Sequence, residues 1–257
     1  MDCQPKLPVG LTGIRGTRLV AFSPMSRSAI APRTAGTTGA VVLVLVLTAV
    51  VTYPVRDALY RTVAEGTAES PLSGAVSVFT EAALLALVAT AGIVAVWALV
   101  RDHGVLRRLV IGGLGVIAAY LISEVTKNIV QEARPCSVGD VATVLTCPEA
   151  GSWAWPSNHS TIAAAFAVAC AFALPALGWF TVPLAVAAAF SRVAAGVHYV
   201  HDVATGLALG LGVVVLVVIL LDRVVPRVDS LPGSRYLPRH AARFSGPSPS
   251  TSGVAPR

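Results

Sequence analysis

The sequence predicts an all-α membrane protein, a six-transmembrane-helix bundle with a functional site at the extracytoplasmic ends of the helices. Three observations lead there. Hydrophobic residues make up 55% of the 257-residue chain and charged residues only 12%, about half of the roughly 25% typical of a soluble domain. The mean hydropathy is +0.74. Six apolar stretches lie at 39–55, 74–99, 106–126, 161–178, 180–195 and 199–221, each near the roughly 20 residues needed to cross the hydrocarbon.

Taken in order, residues 1–37 read as a disordered cytoplasmic segment, 38–224 as the membrane domain and 225–257 as a disordered cytoplasmic tail. The stretch "SGPSPSTSGVAPR" (245–257) has too little apolar surface to offset its ordering entropy. Residues 1–38 show no early apolar core or small-residue cleavage site of a signal peptide, and Met25 is an alternative start. The fourth and fifth spans are separated by "ALPALGWFTVP" (173–183), where Pro175 and Pro183 cannot continue an ideal helix without a kink. In the last span, "GLALGLG" (206–212) sets small residues four apart, which suits close helix packing. No internal repeat is visible.

Lys and Arg set the orientation. Lys6, Arg15, Arg18, Arg27 and Arg33 precede span one; Arg101, Arg107 and Arg108 lie between spans two and three; Arg223, Arg227, Arg235, Arg239, Arg243 and Arg257 follow span six. Those fourteen of the nineteen basic residues fall on one side, which is then cytoplasmic. The net charge of +6 therefore reflects topology and gives no ground for nucleic-acid binding.

Three polar clusters interrupt the apolar pattern. "KNIVQEARP" (127–135) closes span three; Lys127 and Arg134 are seven apart, so a continuing helix would aim both the same way, and Pro135 favours an end to it. "PSNHS" (156–160) precedes span four, where Ser157 or Asn158 would cap the helix and leave free N–H groups as an anion site. "SRVAAGVHYVHD" (191–202) links spans five and six. His198 and Asp202 share a helix face; Arg192, about 240° away on an ideal helix, needs a turn at Gly196 to reach them. Counting crossings brings all three clusters to the extracytoplasmic side. Taken singly, Lys127 and Arg134 could be snorkelling interface residues, and His198 with Asp202 a structural pair.

K-x6-RP at Lys127, Arg134 and Pro135, PS-x-H at Pro156, Ser157 and His159, and SR-x5-H-x3-D at Ser191, Arg192, His198 and Asp202 resemble the three-part signature of the type 2 phosphatidic acid phosphatase superfamily. Order and spacing match over about 75 residues. One position departs: Asn158 stands where the family usually has glycine, and Asn tolerates left-handed backbone. The resemblance implies that His198 attacks phosphorus and forms a phosphohistidine, and that Asp202 holds its tautomer. It implies that His159 protonates the leaving oxygen and then activates water. Lys127, Arg134, Arg192, Ser157 and the Asn158 amide would neutralise the phosphoryl oxygens. No metal or cofactor is implied, and sequence spacing holds no zinc-type ligand set.

Other residues stay open. Glu124 is expected to pair with Lys127 and His201 to be a bystander. Glu81 could line the site or bind a neighbouring helix. Cys136 and Cys147 bracket ten residues and could be a disulfide in an oxidising compartment or free thiols; Cys3 is expected in the cytoplasm and Cys170 buried in span four. Trp153 and Trp155 read as interface anchors, with a platform for lipid as the alternative.

The resemblance implies an integral plasma (inner) membrane enzyme, both termini cytoplasmic, acting on a lipid phosphate. A polyprenyl diphosphate is favoured as the substrate, ahead of phosphatidate or phosphatidylglycerophosphate, and phosphotransfer between lipids stays open. A transporter or lipid-binding protein is the non-enzyme alternative. A transporter would place polar residues at mid-depth and repeat its halves, whereas here they gather at one surface. Oligomeric state is not readable from the sequence.

Overall fold

The computed structural model describes residues 32–149 and 151–224. The expected disorder at both ends, the alternative start at Met25 and the placement of Cys3 lie outside them. The described chain is all-helical: α1 (Pro32–Thr52), α2 (Arg56–Ala68), α3 (Ser73–Arg101), α4 (His103–Val130), α5 (Pro135–Val138), α6 (Asn158–Ala173), α7 (Gly178–Ala194) and α8 (Val200–Val224). Short 3-10 turns occupy Tyr53–Val55 and Pro175–Leu177.

Among the described residues, five helical segments are long and apolar enough to cross a membrane: Ala35–Ala68, Ser73–Arg101, His103–Val138, Pro175–Ala194 and Val200–Leu221. The fourth expected span is shorter than predicted. It is the 16-residue α6, about 24 Å long against roughly 30 Å of hydrocarbon. Its neighbours make the short length tolerable, since α3, α4, α7 and α8 all pack on it and shield it from lipid.

α4, α6 and α8 pack against one another at the centre, with α1 outside α8 and with α3 and α7 on the other flank. Small residues let the central three approach. Alanines 163, 164, 165, 167, 169 and 173 of α6 are buried. A Cβ added at Gly206 would lie 2.6 Å from the Ser157 carbonyl oxygen, and one at Gly210 would collide with that of Thr161. In lipid no hydrophobic force drives helices together, so contact at this range supplies the adhesion. The outer faces carry exposed Val50, Ile93, Ile129 and Trp179, as a hydrocarbon solvent requires.

α2 is absent from the sequence reading, which left 56–73 without structure. It is a 13-residue helix with Tyr60 and Ala64 buried on one side and Arg56, Asp57, Arg61 and Glu65 elsewhere. Tyr60 and Ala64 are four apart on one stripe, a weak helical signal in a polar stretch. The Tyr60 hydroxyl donates to the Gly196 carbonyl at 3.2 Å, and Asp57 accepts from the Tyr199 hydroxyl at 3.1 Å. α2 thereby braces the turn between α7 and α8.

Gly210→Val is expected to destabilise the protein by about 1–3 kcal/mol or more through overpacking. Gly212→Val, where an added Cβ meets only a methyl of Val42 at 3.9 Å, is expected to leave the melting temperature in detergent nearly unchanged. Paired thermal unfolding measures the difference.

Candidate active site

The helix directions bring the end of α4, the start of α6, the end of α7 and the start of α8 to the same end of the bundle. The first cluster differs from its expected form. α4 stops at Val130, where Gln131 takes a left-handed cap (φ 55°) and donates its N–H to the Lys127 carbonyl. Arg134 is then extended (ψ 147°), as the residue before a proline prefers. Lys127 and Arg134 therefore converge from the helix end and from the extended segment after it, and share no helix face. Carbonyls of the following loop fix both. Lys127 Nζ donates to Trp153 O at 2.9 Å, and Arg134 Nε donates to Ser152 O at 2.9 Å. Arg134 Nη2 donates to the Ser152 hydroxyl at 3.0 Å.

At the second cluster Ser157 is the N-cap of α6 and wholly buried. Its side chain makes no capping bond and accepts from the Ser160 hydroxyl at 3.1 Å. The first N–H groups of α6 have no acceptor within the helix and form a positive end. Asn158 is the first helical residue, and Gln131 alone among the described non-glycine residues has positive φ, so left-handed tolerance is not what Asn158 contributes. Its amide oxygen accepts from the Ser123 hydroxyl at 2.6 Å and its amide nitrogen donates to Glu124. Glu124, expected to pair with Lys127, thus ties α4 to α6 instead.

At the third cluster Gly196 supplies the turn with φ 79°, and an added Cβ would collide with Thr143 at 2.6 Å. His198 is 1% exposed. Its Nε2 receives Arg134 Nη1 at 3.0 Å, and a guanidinium can only donate. Nε2 must therefore carry the lone pair and Nδ1 the proton, which Nδ1 donates to Asp202 Oδ2 at 3.2 Å. The same oxygen accepts the Tyr199 N–H at 2.8 Å. Burial holds the His198 imidazole well below its ordinary pKa, and Arg134, Arg192, Lys127 and His159 add to the shift. The ring is thus neutral at pH 7 with its lone pair directed at the cations. Burial and donation to Asp57 push the Tyr199 phenol up to about 12, so it remains a donor.

Arg192 ends α7 and reaches α3, where its Nη1 donates to Thr80 Oγ1 and Glu81 Oε1, both at 3.0 Å. Its Nε is buried with no hydrogen-bond partner among the described residues. Lys127, Arg134, Asn158, His159, Arg192 and His198 line one cavity of about 310 Å³. All eight sequence-predicted residues therefore meet at one place, six lining the cavity and Ser157 and Asp202 lying behind it.

Sequence reasoning missed the surroundings of His201 and left the cysteine pairing open. His201, expected to be a bystander, is buried with Nε2 3.1 Å from both Glu132 Oε1 and Asp202 Oδ1. Possible ligand atoms of Glu132, His201 and Asp202 lie within 4.8 Å of one another and could hold a metal ion, a grouping that the spacing in the chain conceals. The cysteines left open are joined, Cys136 to Cys147. The loop they close presses Thr143 on Gly196 and donates Leu145 N–H to Ala195 O at 3.2 Å, which ties Arg134's segment to the turn before His198. Trp153 offers its carbonyl to Lys127, and the Trp155 indole donates to Thr205 at 3.2 Å.

The PAP2 superfamily profile matches residues 108–225, which contain all three clusters. The decaprenylphosphoryl-5-phosphoribose phosphatase of Mycobacterium tuberculosis, in two strains, is 35% identical over 106 residues, 40% of this chain. The match spans 56% of that relative's length. The solved transmembrane PAP2-type phosphatidylglycerolphosphate phosphatase of Bacillus subtilis shares the fold, with a TM-score of 0.52 and 22% identity, over 73% of this chain and 97% of that one. The matched residues 108–225 are thus similar to the PAP2 superfamily, in line with the type 2 phosphatidic acid phosphatases that the three motifs resemble.

Non-reducing peptide mapping is expected to find Cys136 and Cys147 in one cross-linked fragment. Replacing both by serine should cost about 2–4 kcal/mol, read as a lowered melting temperature.

Proposed function

We propose that this multi-pass PAP2-superfamily protein is a lipid phosphatase that works through a phosphohistidine on His198. The observation that carries the reading is the hydrogen-bonded chain Arg134–His198–Asp202, which fixes an imidazole in the Nδ1–H tautomer at the wall of a cavity lined by three cations, with Nε2 available to a phosphoryl group that takes over the Arg134 donor. Nε2 of His198 would attack phosphorus as the bond to the leaving oxygen breaks, with His159 protonating that oxygen. Asp202 would stabilise the ring's positive charge. Water, deprotonated by His159, would then break the P–N bond and release inorganic phosphate. Lys127, Arg134, the free Nε of Arg192 and the first N–H groups of α6 at Ser157 and Asn158 would hold the phosphoryl oxygens. In this scheme the cations neutralise transition-state charge without a metal ion.

The favoured substrate is a phosphate or diphosphate carried on a polyprenyl lipid, because the similar mycobacterial protein is named for a decaprenyl-linked one. Arginines 101, 107 and 108 on the far side of the bundle support a cytoplasmic assignment for that side. The site would then face outward from the plasma membrane with both termini inside. The disulfide beside the site is consistent with an oxidising compartment.

Purified protein is expected to release phosphate with EDTA present throughout. A panel of polyprenyl diphosphate, polyprenyl phosphoribose 5-phosphate, phosphatidate and phosphatidylglycerophosphate ranks the lipids. His198→Ala should abolish turnover, and His159→Ala should lower it about 10²–10⁴-fold. Parent-level rates in both variants would overturn the assignment of roles.

The pH profile provides a second check. His198 must be neutral to attack, and its pKa is held low. Decreasing pH should therefore produce no acid limb in kcat/KM within the ordinary imidazole range, and any loss on acidification should come only below it. An acid limb centred at about 6.5 would contradict this.

A further inference from the structure

Glu81 lies on α3, outside both the matched domain and the three motifs. Its carboxylate oxygens take Arg192 Nη1 at 3.0 Å and stand 3.5 Å from His159 Nε2. The pair is unequal in freedom: the Arg192 side chain is 7% exposed and that of Glu81 is 58% exposed. The arginine is fixed, with Thr80 as a second acceptor, whereas the carboxylate can rotate into water at small cost. Carboxylate and phosphoryl oxygens are the same kind of acceptor for a guanidinium. A buried arginine cannot be left unpaired without a penalty of several kcal/mol, so one anion must replace another on it.

We propose that Glu81 is a positioning residue that competes with the substrate's phosphoryl group for Arg192 and, once displaced, stays with His159. The inference rests on the lipid-phosphatase reading above. His159 faces Glu81 from α3, Arg192 from α7, Arg134 from the segment after α4, and shares the cavity with Glu124, Lys127 and His198. Of these, Glu81 is the anion within 3.5 Å of its ring. Burial and then Arg192 hold the His159 imidazole below its ordinary pKa, and the Glu81 carboxylate opposes them, favouring the protonated form that delivers a proton to the leaving oxygen. Glu81 would thus weaken phosphate binding and raise the pH at which His159 loses its proton.

The two effects have opposite signs in kinetics, which makes the role testable. Glu81→Gln keeps the size of the side chain and removes its charge. Inorganic phosphate should inhibit this variant at a concentration about three- to tenfold lower than the parent. The alkaline limb of kcat should move down by about one pH unit, and Glu81→Asp should restore part of both. Binding of inorganic phosphate is also measured directly by calorimetry on the detergent-solubilised protein, independent of turnover. If the parent is active and Glu81→Gln shows parental phosphate affinity or an unmoved alkaline limb, the inference fails while the function stands. If the parent releases no phosphate from any lipid, the function fails, and calorimetry alone decides the competition at Arg192: tighter binding in Glu81→Gln supports it and equal binding overturns it.

Discussion

Three cations lie less than a tenth exposed at one end of an apolar bundle: Lys127, Arg134 and Arg192. Charges withdrawn from water cost several kcal/mol each unless dipoles and counter-charges meet them, and most of the surrounding architecture can be read as meeting that demand. The loop from Cys147 to Trp155 turns the carbonyls of Ser152 and Trp153 inward to Arg134 and Lys127. Val197 adds a second carbonyl to Arg134 at 3.0 Å. Glu81 and Thr80 hold Arg192, and Asp202 lies behind His198. With this arrangement fixed, His198 has little choice of state. Its Nε2 receives a guanidinium and its Nδ1 faces a carboxylate, so burial and cations keep it neutral and in one tautomer.

The packing of the bundle decides whether that arrangement can form. Gly206 lets α8 approach the Ser157 carbonyl, and Ser157 N–H donates to the Asp202 carbonyl at 3.1 Å. The start of α6 and the start of α8 are therefore joined at the residues that carry the second and third motifs. Gly196 and Thr143 join the disulfide loop to the turn in the same manner. A side chain at either glycine would separate groups that must meet within hydrogen-bond range.

What the sequence disclosed depended on the range of the interactions involved. The apolar spans and the polar clusters are local patterns, and crossing order alone placed all three clusters at one end. The turn at Gly196 was also legible, because a left-handed residue there was the simplest way to bring Arg192 near His198. What escaped was set by partners far along the chain. Glu124 takes Asn158 of α6 in preference to nearby Lys127. His201 is fixed by Glu132, 69 residues away, and α2 is held by Tyr199. The continuing helix expected from Lys127 to Arg134 ends at Val130, where a left-handed cap and the extended residue before Pro135 take the chain out of the helix, which local periodicity did not reveal.

The short α6 links the fold to the site. A helix that must span lipid cannot leave its first N–H groups uncovered at membrane depth, because the hydrocarbon offers no acceptor. α6 escapes the constraint by being enclosed. Four helices surround it, its alanines occupy little volume, and its length no longer has to match the bilayer. Its N-terminus can then end where the cavity lies, and its first N–H groups, which have no acceptor within the helix, share that end of the bundle with three cations. The polar groups come from the helix ends and the segments beside them, but the small residues of α6 and α8 permit the start of α6 to be enclosed among its neighbours.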